Sequence, residues 1–359
     1  MKKFCLTSAG LAVVFIPLLF PTIVRAAPIL PHIYHSSINL RPYECTAAHN
    51  VTYWKNKIYM GGASICDDTT VWQINVANPD NLVCESGAGA GCKAYGVKVV
   101  EDILYAANWY TMMRTYDVTG SITQLGEYFA SPWYGWNIDV SNNRAYVNEG
   151  NETQKKLVIM DVSNPASPGV ISYLPLSRGG GLTVRGSYAY FTDDHRFTIA
   201  NISDENNPYI LSSIDFGHLL LGGVQVRGNY AYMYWSQVTD GGLMVFDISN
   251  PTAPVLKGQF AGAGATDMCL LGDYAFYPTS GNGFMTIDIS DPTNPHAVAQ
   301  SDIPFYALEL CVTGNGRYAY VGSLAGDNEG WLSSFEVLDQ DPDNAGPGNW
   351  SGGSFCPNT

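Results

Sequence analysis

The chain has 359 residues, of which 46% are hydrophobic and only 14% charged; this excludes a disordered polypeptide and requires a packed core. Eighteen Lys and Arg against 32 Asp and Glu give a formal charge of −14, which argues against nucleic acid and anionic membranes as partners, since both select a basic surface. The 23 Tyr, 37 Gly and 20 Pro suit a protein of strands and turns.

The first element is not expected to belong to the fold. Met1-Lys2-Lys3 precedes an apolar run from Leu11 to Val24, and Val24-Arg25-Ala26 supplies small residues at the cleavage positions. This pattern predicts a signal peptide over residues 1–26, cut before Ala27, and a secreted, periplasmic or cell-surface location. Pro17 and Pro21 break the run, so it is a poor permanent span, and the mature chain is expected to have no transmembrane segment. Without Lys2, Lys3 and Arg25 the balance is 15 basic against 32 acidic residues, or −17.

A short strand-like segment, His32–Ile38, comes next, and then a repeat. Leu157-Val158-Ile159-Met160-Asp161-Val162-Ser163-Asn164-Pro165 returns as Leu243–Pro251 and again as Phe284–Pro292. Weaker copies put Asn75, Asp117, Asn201 and Glu336 in the Asp position, so the steps are 42, 44, 40, 46, 41 and 48 residues. Each unit opens on an alternating apolar segment, turns, continues in a tyrosine-rich strand, and reaches the strand ending in Asp-Ile-Ser-Asn-Pro before a fourth strand. A period in the forties with four strands per unit predicts an all-β, seven-bladed β-propeller of four-stranded antiparallel blades over residues 27–338. The repeated Asp161, Asp247 and Asp288 read as turn residues that cap nearby N–H groups. The second-strand aromatics Tyr59, Tyr105, Tyr146, Tyr190, Tyr232, Phe276 and Tyr320 read as packing between blades, with a carbohydrate-stacking platform as the alternative.

The run Leu157–Asp161 and its echoes at Asp247 and Asp288 resemble the LVIVD repeat, found in exported and surface proteins of bacteria and archaea. The resemblance implies a propeller with a binding or surface role and transfers no catalytic residue. The last unit lacks a fourth strand of its own. The economical solution is that the N-terminal segment completes the seventh blade and hides two open edges. Residues 339–359 read as an irregular acidic, Gly-rich tail; Asp339, Asp341 and Asp343 resemble the start of a calcium loop but lack its Gly and its closing Glu. Seven cysteines follow the signal peptide; Cys84 with Cys92, and Cys45 with Cys356, are candidate disulfides.

Propellers bind ligands at the mouth of the central channel, where the innermost strands begin. Aligned on the tyrosine register, these strands place Asn50, Gly96, Asn137, Gly181, Gly223, Asp267 and Glu309 in one ring, preceded by His49, Tyr95, Trp136, Gly180, Gly222, Thr266 and Leu308. Asp267, Glu309 and His49 are candidate ligands for a divalent cation, calcium or a transition metal. Asn50, Tyr95, Trp136 and Asn137 are candidates for a small organic ligand, and the glycines of blades 4 and 5 offer backbone access. The plainer reading is a polar lining for a water-filled channel. Asp193-Asp194-His195 and Cys66-Asp67-Asp68 read as solvated turns. The expected function is an exported binding propeller with a ligand at the channel mouth or loop face and a protein or glycan as partner. A metal-assisted hydrolase or lyase using Asp267, Glu309 and His49, and a structural cell-surface component, are the alternatives. No catalytic motif decides whether the protein is an enzyme.

Overall fold

In the computed structural model the described residues are 32–337, apart from 41–44, 65–69, 90–92, 110, 131–133, 151–153, 177–179, 194, 218–219, 237–240, 263, 280–282, 303–305, 314–315 and 326–328. The expected signal peptide and tail, the Asp339 stretch, Asp194 and Cys66-Asp67-Asp68 therefore lie outside them, as do Cys92 and Cys356. Among the described residues no disulfide is formed, and no helix is long and apolar enough to cross a membrane.

Twenty-eight strands form seven four-stranded antiparallel sheets. Blades 1 to 6 each take four consecutive strands, from residues 45–88, 94–128, 134–176, 182–215, 220–262 and 269–302. Blade 7 takes Tyr306–Val312, Tyr318–Ala325 and Glu329–Glu336, and receives its outermost strand from Ile33–Asn39. That strand runs antiparallel to Glu329–Glu336, with Ile33 opposite Glu336 and Asn39 opposite Trp331. The ends of the fold are thus joined by a backbone ladder that covers the outer side of Glu329–Glu336.

Local sequence explains each blade. The first hairpin of blades 1, 2 and 3 turns on Lys55-Asn56, Glu101-Asp102 and Asn142-Asn143, all with φ between 46° and 64°. Two consecutive left-handed residues match the twist of the flanking strands, and Asn and Asp tolerate that conformation best. The repeated Asp makes an Asx turn: Asp161 accepts from the Ser163 N–H at 2.9 Å, Asp247 from Ser249 at 2.9 Å and Asp288 from Ser290 at 2.8 Å. Asn75, Asp117 and Asn201 do the same in the weaker copies. The N–H of the residue after each Asp or Asn bonds back to the first hairpin, as Val162 does to the Asn143 carbonyl.

The seven second-strand aromatics are all buried, and each packs into the next blade. Tyr59 of blade 1 sits among Val97, Val99 and Leu104 of blade 2, and Tyr105 among Ile138, Val140 and Val147 of blade 3. Tyr320 of blade 7 returns to blade 1, where its hydroxyl donates to the Val76 carbonyl at 3.1 Å. The core is therefore a set of inter-blade layers.

Candidate functional site

The innermost strands of blades 1, 2, 3 and 7 share a defect that their alternating pattern hides. In blade 1, Ala48 faces Gly62 and Asn50 faces Gly61, so His49 is an extra residue. Tyr95 is extra between Ala94 and Gly96, Trp136 between Gly135 and Asn137, and Leu308 between Ala307 and Glu309. A bulge unpairs one residue and re-aims its side chain. Repeated in neighbouring blades, it delivers His49, Tyr95 and Trp136 to one side of the mouth.

There the rings meet. His49 and Tyr95 have centroids 4.8 Å apart, and Tyr95 and Trp136 4.9 Å. Trp109, from the loop after the second strand of blade 2, lies 5.6 Å from Tyr95 and 5.4 Å from Trp136, and stacks on Tyr134 at 4.3 Å. All five rings are half-buried. The ammonium of Lys93 stands 6.0 Å from the Trp109 centroid. Burial, with a smaller contribution from Lys93, holds the His49 imidazole down at about 4, so it is neutral near pH 7. The sequence reading named Tyr95, Trp136 and His49 but missed Trp109 and Tyr134. Tyr134 lies two residues before Trp136, a spacing that the bulge makes hard to interpret; nothing local marks Trp109.

One layer deeper the candidate residues do something else. Asn50 Oδ1 accepts from the Val97 N–H at 2.9 Å, linking blades 1 and 2. Lys98 and Asp139 form a buried ion pair at 3.1 Å between blades 2 and 3. Asp139 also accepts from the Val184 N–H of blade 4 at 2.8 Å, and Thr183 donates to the Val224 carbonyl of blade 5 at 2.7 Å. Gln225 accepts from the Leu270 N–H of blade 6 at 3.0 Å, and Asp267 from the Leu310 N–H of blade 7 at 3.0 Å. The Asn50 amide donates to Glu309 at 3.4 Å and completes the circle. Seven blades are thus joined by polar side chains around the axis, of which the sequence reading had identified only Asn50, Asp267 and Glu309.

The cavity inside this ring, lined by Asn50, Asn137, Gly181, Gly223 and Asp267 among others, measures about 30 Å³. That is room for roughly two ordered waters. Asp267 lines this cavity, and Glu309 lies behind it, bonded to Asn50 and Asp267. Burial raises the Asp267 carboxyl to about 6, against the pull of its backbone hydrogen bonds. Burial raises Glu309 further, and the neighbouring Asp267, to which it is hydrogen-bonded, adds to the shift. The two therefore share a proton near neutrality.

The structure brings Asp267 and Glu309 together, while His49 turns to Tyr95. Among the described residues no three His, Cys, Asp or Glu side chains are grouped to hold a metal ion. In blade 5 Gly223 lines the cavity, while Gly222 lies against a neighbouring ring. The Tyr234 ring covers Gly222 and Gly223 so closely that a Cβ on Gly222 would overlap it, and its hydroxyl donates to the Thr266 carbonyl at 2.6 Å.

A closed circle of seven four-stranded blades with an aromatic-lined mouth defines a seven-bladed β-propeller. The LVIVD repeat matches residues 134–173, 180–215, 222–261 and 262–302, so blades 3 to 6 carry LVIVD repeats within the propeller. No curated protein sequence matches it. Among solved structures, one of the mitotic checkpoint complex is similar at TM-score 0.68 and 12% identity, over 90% of this chain and 100% of that one. The β-propeller domain of Cps50 (Swd1) from Myceliophteria thermophila is similar at TM-score 0.65 and 11% identity, over 86% and 100%. A protein from Lactobacillus plantarum gives 0.61 and 14%, over 72% and 85%. Likeness at these identities reports the fold alone.

Proposed function

We propose that this chain is an exported binding propeller whose ligand lies on the mouth of the central channel, against His49, Tyr95, Trp109, Tyr134 and Trp136. The observation that carries this reading is the use of three successive bulges to turn rings out of the core and toward one another. The same bulge in blade 7 carries Leu308, whereas in blades 1 to 3 it carries rings that lie outside the inter-blade layers filled by Tyr59, Tyr105 and Tyr146. Half-buried aromatic groups beside polar ones are the usual make-up of a ligand site. Export is supported by the charged start, the apolar run and the small residues before Ala27.

The metal-assisted hydrolase or lyase has less support. Asp267 and Asn50 are engaged in joining blades, and Glu309 is bonded to both.

A thermal-shift screen with small molecules, glycans and candidate protein partners tests the binding reading, because a ligand of the folded state raises Tm. Hits are expected to lose their effect in Tyr95→Ala and Trp136→Ala. Hits that survive both substitutions would move the site elsewhere. Sequencing the N-terminus of exported material tests the cleavage before Ala27.

A further inference from the structure

We infer that the ligand of the aromatic mouth is a neutral saccharide chain, an inference that rests on the binding reading above and names its ligand class. Three observations select it. The first is shape. The axial cavity, about 30 Å³, has room for about two waters and is not lined by any of the five rings, so a ligand of the rings lies against them rather than inside it. The rings run from blade 1 to blade 3 in steps of 4.8 and 4.9 Å, with the Trp109–Tyr134 stack alongside. With Trp109 also 5.6 Å from Tyr95 and 5.4 Å from Trp136, the rings form one continuous aromatic patch contributed by three blades, which suits a ligand that lies flat against it.

The second is charge. Aromatic groups also attract cations, but here the Lys93 ammonium already stands beside Trp109, and like charge repels a second cation. A polyanion would meet a chain carrying 32 acidic and 18 basic residues. A neutral ligand meets neither objection.

The third is chemistry. A pyranose ring presents a flat face of C–H groups and an edge of hydroxyls. Its face stacks on an aromatic ring, whose π-surface is negative, and its hydroxyls need donors and acceptors at the margin. The exposed Lys93 ammonium beside Trp109 supplies donors, and the hydroxyl of half-buried Tyr134 can both donate and accept.

The experiment follows tryptophan fluorescence of the whole mature chain during titration with short neutral oligosaccharides of glucose, xylose or N-acetylglucosamine, with indole, and with tetramethylammonium. At least one neutral oligosaccharide is expected to shift the spectrum, with an affinity unchanged by added NaCl. Trp136→Ala and Trp109→Ala are expected to weaken it about tenfold, the loss of one stacking contact. Trp136→Phe keeps a ring and most of the affinity, and carries the test if the alanine variants fail to fold. Trp54→Ala, in the first hairpin of blade 1, serves as the unaffected control. If indole binds and no saccharide does, the mouth is a ligand site but the saccharide assignment falls. Binding of tetramethylammonium alone overturns it in the same way. If no probe shifts the spectrum, the mouth reading falls with it.

Discussion

Lys98 Nζ lies 3.1 Å from Asp139 Oδ1, with both side chains less than a tenth exposed, and this pair joins blade 2 to blade 3 within the polar circle around the channel. A charge pair so deep costs a good deal of desolvation, and removing one partner leaves the other uncompensated. Lys98→Met is expected to lower the unfolding free energy by about 3–5 kcal/mol. The double variant Lys98→Met with Asp139→Asn should recover part of that loss, because an Asn oxygen still accepts from Val184 N–H. Urea unfolding of the two singles and the double measures the coupling. Simple additivity would mean that the pair does not act as a unit.

The N-terminal strand is held by more than its ladder. His32 stacks on Phe284 of blade 6 at 3.8 Å, and its ring nitrogens lie 2.8 Å from Thr286 Oγ1 and 3.1 Å from Ser301 Oγ. His32→Ala should cost about 2–3 kcal/mol, the sum of a stacking contact and two neutral hydrogen bonds. Denaturant unfolding at neutral pH checks this.

Burial lowers the His32 imidazole to about 3, so the folded state keeps it neutral while the unfolded chain binds a proton below its ordinary value of 6.5. The unfolded state then holds more protons between these values. Its contribution to stability is present above about 6.5 and is lost as pH falls toward 3, at most about 1.4 kcal/mol per pH unit. Unfolding free energies at pH 7, 5 and 4 should show a decline that His32→Gln reduces.

Asp267 and Glu309 work in the opposite direction. Their carboxyls are raised in the folded state, so the folded protein holds more protons than the unfolded chain above the ordinary carboxylate range. Their contribution falls as pH rises from about 4 through about 6 and beyond. Glu309→Gln removes the shared proton while keeping an oxygen and an amide in place. It is expected to raise Tm at pH 8 and to leave Tm nearly unchanged at pH 4. A lower Tm at pH 8 would contradict the shared-proton pair.

Tyr320 closes the seam between blades 7 and 1 through its hydroxyl. Tyr320→Phe keeps the ring and removes that bond, so a loss of about 1 kcal/mol is expected. Tyr190→Phe in blade 4 removes the hydroxyl at the same position away from the seam. Paired melting curves of the two variants separate seam from ordinary blade.

Much of this architecture is legible in the residues themselves. Asp161, Asp247 and Asp288 recur because a third strand must end in a turn that its own carboxylate can cap, and such a bond spans only two residues. The tyrosines recur because each blade faces an equivalent neighbour. Even the completion of blade 7 follows, since a unit short of one strand and a spare strand at the other end have a single economical pairing. The candidate site was legible only in part. Asn50, Asp267 and Glu309 were identified as facing the axis, but their partners are the backbone of Val97 and Leu310 and the amide of Asn50, each some forty or more residues away. Trp109 and Tyr134 escaped because a loop and a bulge do not follow the two-residue period on which the alignment depends.

The amino-acid sequence by itself determined the repeat, the strands and the number of blades, because these follow from periodic burial and local turn chemistry. Only the tertiary structure decided which mouth residues hold the wheel together and which face outward. Closing the circle sets each innermost strand against the next blade, and that contact engages Asp267 and Asn50 in the wall. The bulges at His49, Tyr95 and Trp136 depend on pairing between strands, and they leave those rings half-buried and against one another.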